Sequence, residues 1–157
     1  MPSSTSAEKI VCYTDGACLG NPGPGGWAWA TGKDLYRSGA APATTNQRME
    51  LTAVLRALEA LSGPIQVVSD STYVVNCFRD SWWRGWRARG WKNSKGEQVA
   101  NQDLWKPLIG IAIDERGGEV EFRWVKGHAS SAGNNLVDAL ANEAARLQSG
   151  KQSGRIG

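Results

Sequence analysis

The pattern of apolar and polar positions changes period several times along the chain, and each change predicts an element. Lys9 to Thr14 (KIVCYT) is a short β-rich run that ends at Asp15-Gly16. Leu19 to Gly26 (LGNPGPGG), with two prolines and four glycines, predicts a turn between strands. Trp27 to Ala30 and Leu35 to Ala40 read as two more short strands around Thr31-Gly32-Lys33-Asp34, an antiparallel meander. From Thr44 to Leu61 the period becomes helical: Met49, Ala53, Leu55, Leu58 and Leu61 share a face, and Thr45 or Asn46 is available as N-cap. Gly63-Pro64 ends that helix, and the nearly all-apolar Ile65 to Ser69 suits a buried, partly parallel strand. A helix is expected from about Ser71, and a basic, tryptophan-rich segment then breaks the pattern up to Gly96. Asp103 to Ile113 reads as a helix despite Pro107 and Gly110, Glu119 to Val125 alternates as a strand, and Asn134 to Leu147 is an amphipathic helix. Three antiparallel strands followed by βα units predict an α/β fold, a mixed sheet flanked by helices.

Composition narrows the class. At 157 residues the chain fits one domain, and 41% hydrophobic content with eight tryptophans excludes a wholly disordered polymer. Met1 to Lys9 is polar and shows no signal-peptide pattern, and no apolar run approaches the roughly 20 residues of a membrane span. A soluble, cytoplasmic protein without a membrane partner is therefore expected. Cys12, Cys18 and Cys77 are odd in number and unrelated in spacing, which suggests reduced thiols rather than disulfides or a zinc site.

Net charge is +3, but it is unevenly placed. From Arg79 to Lys95 six basic residues face only Asp80, a local charge of +5 that leaves the rest of the chain at −2. One basic lobe on a slightly acidic body is the electrostatic footprint of a polyanion partner. Within it, WWRGWRARGW alternates guanidinium and indole groups, which suits phosphate contact and stacking. Trp82 and Trp86, four residues apart, also share a helix face, so part of the lobe is expected to pack on the core.

Four acids carry the candidate chemistry. Asp15 and Asp70 close predicted strands, where open α/β sheets place their ligands. Glu50 lies near the start of one predicted helix and Asp138 near the start of another. If the two strands are neighbours, all four carboxylates meet at one sheet edge, and hard divalent cations are the usual remedy for their repulsion. The all-oxygen set favours Mg²⁺, or Mn²⁺, and two such ions suit phosphoryl transfer. The lone His128 follows the last strand among Gly127, Ser130, Ser131 and Gly133. A lone histidine is commonly structural, but these small residues favour an exposed loop and a proton-transfer role. These features alone do not choose between RNA and DNA, nor between a nuclease, an integrase-like transferase and a binding module.

The strings YTDGACLGNPGPGG, TTNQRMELTAVLRAL, VVSDSTYVV, WWRGWRARGWK, NQDLW and VKGHASSAGNNLVDALA, in this order from Lys9 to Leu147, resemble the type 1 ribonuclease H family, its bacterial members most closely. The resemblance implies a ribonuclease H-like fold, a five-stranded mixed sheet with helices on both faces. It also implies Mg²⁺-dependent hydrolysis of the RNA strand of RNA–DNA hybrids by a monomer, leaving 5′-phosphate and 3′-hydroxyl ends. Asp15, Glu50, Asp70 and Asp138 then hold two metal ions, and His128 assists proton transfer and product release. Cys18, Asn21, Asn46 and Gln47 fall at RNA-strand contacts, including those to the 2′-hydroxyl that marks RNA. For Cys18 the contacting group is expected to be backbone. Thr45 and Asn101 match a pocket for a DNA-strand phosphate, and Tyr73, Asn76 and Trp86 line the DNA-side groove. Trp82, Arg84, Arg87, Arg89, Trp91 and Lys92 belong to the basic handle.

Three positions depart from the family pattern. Ala43 stands where some relatives carry an arginine near the DNA-phosphate pocket, Thr72 replaces a glutamine after SDS, and HASSAGNN lacks a second histidine and a proline. The expected organisation is a flexible N-terminus over 1–8, a catalytic domain over 9–148 with its handle at about 82–95, and a disordered tail over 149–157.

Overall fold

A computed structural model describes residues 9–126 and 131–153. Three strands lead: β1 (Ile10–Cys18), β2 (Gly23–Gly32) and β3 (Leu35–Thr44). They are followed by α1 (Asn46–Ala60), β4 (Ile65–Ser69), α2 (Thr72–Arg79), α3 (Trp82–Ala88), α4 (Gln102–Ile109), β5 (Val120–Trp124), α5 (Ala132–Leu147) and β6 (Gln152–Ser153). The sheet order is β5-β4-β1-β2-β3-β6, with β1, β4 and β5 parallel to one another and the β1–β2, β2–β3 and β3–β6 pairs antiparallel.

The alternation of β2 explains why helices cover both faces. Trp27 and Trp29 point into the larger core with Leu51, Val54 and Leu58 of α1 and Trp105 of α4. Ala28 and Ala30 point the other way, against Val137, Leu140 and Ala141 of α5. Small residues on that second face let α5 lie close: a Cβ on Gly26 would collide with the backbone of Ala141 and Ala145. Thus the period-2 pattern of one strand separates a bulky aromatic layer from a thin alanine layer.

Two expectations need correction. Among the described residues the sheet has six strands, not five, because the tail expected to be disordered contributes β6 as far as Ser153. There the Ser38 N–H donates to Lys151 O at 2.8 Å, the Lys151 N–H donates to Ser38 Oγ at 2.9 Å, and Lys151 Nζ pairs with Glu143 at 2.8 Å. The outer edge of β3 needs backbone partners, and a polar tail supplies them without any apolar signal in its sequence. The helix expected over Asp103 to Ile113 is α-helical only to Ile109 and continues as a π-helical turn, Gly110–Glu115. Pro107 removes one helical donor and Gly110 adds backbone freedom, which loosens the turn. The N-terminal segment 1–8 and the last residues of the tail, 154–157, lie outside the described residues.

Candidate active site

Asp15 and Asp70 are brought together by strand register. In the parallel β1–β4 pair Tyr13 stands opposite Val68, so Asp15 and Asp70, each two residues further on, emerge at the same level. Glu50 enters from the first turns of α1, whose N-cap is Thr45: its Oγ1 accepts the Arg48 N–H at 3.2 Å. The crossing of β1 and α1 depends on Gly16, because a Cβ there would collide with Glu50 N and with Met49. Carboxylate oxygens of Asp15, Glu50 and Asp70 consequently lie within 4.8 Å of one another.

Such a cluster is electrostatically frustrated by itself. Asp15 is 8% exposed, and burial first, then the charge of Asp70, pushes its carboxyl up to about 8; Asp138 and Glu50 add to this, and the Gly16 N–H opposes it. Burial and Asp70 push Glu50 up to about 7, against a hydrogen bond from Ser71. Ser71 works in two directions, since its Oγ also accepts the Val74 N–H at 3.2 Å as the N-cap of α2. The Asp70 backbone is held by Trp124 of β5, whose Nε1 donates to Asp70 O at 3.1 Å.

The other expected residues surround this centre. Asp138 stands exposed on α5, close enough to raise Asp15, with its Oδ1 accepting from Asn142 Nδ2 at 3.3 Å. His128 lies outside the described residues. Asn21 reaches α1, its Oδ1 accepting the Asn46 N–H at 3.2 Å, while Asn46 and Gln47 are exposed. The half-buried Cys18 thiol donates to Gly23 O and Thr44 O, both at 3.3 Å, so it is turned into the β1–β2 turn. Cys12 and Cys77 are buried, and burial pushes each thiol up to about 12.

On the other flank, Tyr73 and Asn101 are joined by a 3.2 Å hydrogen bond, and Asn76 Oδ1 accepts from Arg79. Trp86 packs edge-on against the buried Trp105, with ring centres 5.3 Å apart, and Trp82 and Trp91 lean on Trp86 at 6.2 and 6.1 Å. The lobe is therefore anchored through its indoles while its guanidinium groups face outward. Arg87 is committed elsewhere: it forms a bidentate pair with Asp114 at 3.0 and 2.6 Å. Arg89 Nε donates to Lys92 O at 3.1 Å, and Arg84 lies over the Trp83 ring at 5.2 Å.

Sequence reasoning missed Gly16, Arg48, Ser71 and Trp124 as parts of the site. Ser71 carried a signal, the acid-then-cap order Asp70-Ser71 before a helix. For Trp124 there was none, because its contact spans 54 residues.

The carboxylates lie on an open edge. A cleft of about 780 Å³ lies at the other end of α1, where Arg116 donates to Leu58 O, Leu61 O and Gly63 O, far from this chemistry.

Comparison with known proteins agrees with this geometry. The family model for RNase H matches residues 7–146. A ribonuclease H of Syntrophomonas wolfei is 48% identical over 143 residues, covering 87% of this chain and 96% of that protein. One from a Polaromonas species is 44% identical over 156 residues, covering 95% and 96%. The crystal structure of LC9-RNase H1, a type 1 RNase H with the type 2 active-site motif, matches with a TM-score of 0.72 at 31% identity, covering 94% of this chain and 79% of that one. The chain belongs to the ribonuclease H family, endonucleases that hydrolyse phosphodiester bonds.

Proposed function

We propose that this chain hydrolyses the RNA strand of RNA–DNA hybrids by two-metal-ion catalysis, leaving 5′-phosphate and 3′-hydroxyl ends. The observation that carries this reading is the convergence of Asp15, Glu50 and Asp70 within 4.8 Å. The donor set fits Mg²⁺, with Mn²⁺ as the alternative: its ligands are all hard oxygens, and among the described residues no cation offsets the charge of Asp15 or Glu50. Asp138, on the first turns of α5, completes the set of four. When bound, the two ions supply an activated water and stabilise the leaving oxygen.

The chain's own residues orient the reaction. Asp15 lies within β1, opposite Ala28 of β2, Asp70 directly follows β4, and Ser71 hydrogen-bonds the Glu50 carboxylate, so the three acids are held by the sheet and by a helix cap. His128 is assigned the proton transfer. Cys18, Asn21, Asn46 and Gln47 hold the RNA strand, and Thr45, Tyr73, Asn76, Trp86 and Asn101 hold the DNA strand. The basic handle adds phosphate contacts through Trp82, Arg84, Arg89, Trp91 and Lys92. We assign the reaction to a cytoplasmic monomer; among the described residues no helix is long and apolar enough to cross a membrane.

Single-turnover hydrolysis of an end-labelled hybrid in Mg²⁺ tests this reading, with duplex DNA and single-stranded RNA as controls. The protein is expected to cut only the RNA strand of the hybrid, and Asp70→Asn to abolish cutting. Equal rates for both proteins, or comparable cutting of duplex DNA, would overturn it.

A further inference from the structure

Trp124 is held by direction more than by burial. Trp29 and Trp105 are fully buried in the core, whereas Trp124, at the end of β5, is 43% exposed. Its Nε1, which can only donate, points at the Asp70 carbonyl oxygen at 3.1 Å.

That carbonyl sits at a tight junction. Asp70 is the one residue between β4 and Ser71, the N-cap of α2. Around it the Val125 N–H donates to Ser69 O at 2.9 Å, and the Ser71 N–H donates to Ser69 Oγ at 3.0 Å. Ser71 Oγ accepts the Val74 N–H at 3.2 Å, while its hydroxyl proton is donated to the Glu50 carboxylate. β5 therefore grips α2 at both ends. Phe122 stacks on Phe78 in the last turn, with ring centres 4.0 Å apart, and Trp124 ties down the peptide that leads into the first.

The peptide joining Asp70 to Ser71 is planar, so its carbonyl and the Ser71 N–H turn together. Holding the carbonyl fixes the backbone from which the Asp70 carboxylate projects. It also keeps the Ser71 N–H on Ser69 Oγ, and so keeps the Ser71 hydroxyl facing Glu50. Without the indole donor this plane is free to rotate, and two of the three clustered acids lose their common reference. The third, Asp15, is held separately, by the pairing of β1 with β2.

We propose that Trp124 is a positioning residue for the metal ligands: its indole N–H locks the Asp70–Ser71 peptide and thereby sets Asp70 and Glu50 against Asp15. This rests on the two-metal reading given above. Trp124 acts through the backbone of Asp70 and not on the substrate.

The test replaces Trp124 by 3-benzothienylalanine, which keeps the shape of the ring but has sulfur in place of the N–H, and separately by phenylalanine. Mg²⁺ binding is measured by calorimetry without nucleic acid, unfolding by circular dichroism in EDTA, and hybrid cleavage across a Mg²⁺ titration. Loss of one hydrogen bond that orders the ligands should weaken Mg²⁺ binding about three- to tenfold in both variants. Cleavage at limiting Mg²⁺ should fall by a similar factor and recover as Mg²⁺ is raised, with KM for the hybrid unchanged.

A tryptophan that served stability alone would give a lower Tm with unaltered Mg²⁺ affinity. That result in the benzothienyl variant, which preserves packing even if the phenylalanine variant fails to fold, would overturn the proposal. A raised KM at saturating Mg²⁺ would do so too, by placing the indole on the substrate. If the unaltered protein binds Mg²⁺ but cuts no hybrid, the substrate reading fails, while the difference in Mg²⁺ affinity still decides the role of Trp124.

Discussion

Replacing Asp15 by asparagine should stabilise the metal-free protein at neutral and alkaline pH, although it removes a residue central to the site. Folding carries this carboxyl from its ordinary value of 3.8 up to about 8, mainly by burial and by the charge of Asp70. An acid whose folded pKa is raised binds its proton more tightly folded than unfolded. Stability is therefore intact below about pH 4 and is lost progressively as pH rises towards 8. At pH 7 the mismatch is about three pH units, which at about 1.36 kcal/mol per unit sets an upper bound of about 4 kcal/mol. Entry of water at the open edge lowers this, so about 2–4 kcal/mol is expected, or on the order of 5–10 °C in Tm for a domain of this size. Asparagine keeps the one local hydrogen bond, because its Oδ1 can still accept the Gly16 N–H that Asp15 accepts at 2.8 Å.

Thermal unfolding followed by circular dichroism, from pH 5 to 8.5 in EDTA and again in Mg²⁺, reads this out. The unaltered protein should lose Tm with rising pH in EDTA, and Asp15→Asn should lose much less. Mg²⁺ should restore the unaltered protein at pH 8 and add little to the variant, since a ligand stabilises only the state that binds it. The ion-paired Asp103, Asp114 and Glu121 are shifted downward by Arg48, Arg87 and Lys9, so they withdraw stability only below the ordinary carboxylate range, outside this window. Glu50, raised to about 7, titrates in the same window, so Asp15→Asn keeps a smaller loss of Tm with rising pH. If Asp15→Asn is less stable at pH 8 in EDTA, or both proteins show one pH dependence, the reasoning is wrong.

Two further outcomes follow from the same geometry. Gly16→Ala should cost about 1–3 kcal/mol in urea unfolding, because backbone atoms of Met49 and Glu50 must retreat, and should weaken Mg²⁺ binding in calorimetry; no change in either would mean α1 is free to move. In the lobe, Arg84→Ala and Arg89→Ala should each flatten the salt dependence of hybrid binding by about one unit of slope for each phosphate left unneutralised, whereas Arg87→Ala, whose charge is matched by Asp114, should change it little; equal slopes for all three would show that the pair opens on binding.

Much of the fold was legible because its signals are local. The alternation of Trp27, Ala28, Trp29 and Ala30 marks a strand with two different faces, and Thr45 and Ser71 announce two helices by capping them. Asp70 does close β4, but Asp15 does not close β1, which continues to Cys18 because Gly16 to Cys18 still pair with β2; the two acids meet because β1 and β4 are parallel neighbours in register. What escaped had no local signature. The tail pairs with β3 through its backbone, which composition does not encode. Arg87 looks like any exposed arginine until Asp114 is found 27 residues away, and Arg48 becomes part of the site only when α4 brings Asn101 and Asp103 beside α1.

An acidic centre that must receive a polyanion faces repulsion before any chemistry, and the fold separates attraction from reaction. Positive charge is concentrated on the lobe, whose indoles are tied to Trp105, and Trp105 in turn donates to Tyr73. Tyr73 follows Asp70 by three residues along the chain. The lobe is thus tethered to the catalytic edge by packed and hydrogen-bonded groups, while its charge stays on the surface where salt can screen it. Arg48 and Asp103 pair with each other and add no net charge. Ionic strength should then act on how tightly substrate is held and hardly on the bond-breaking step, whose charges in the proposed mechanism lie against Asp15, the most buried of the acids at the site.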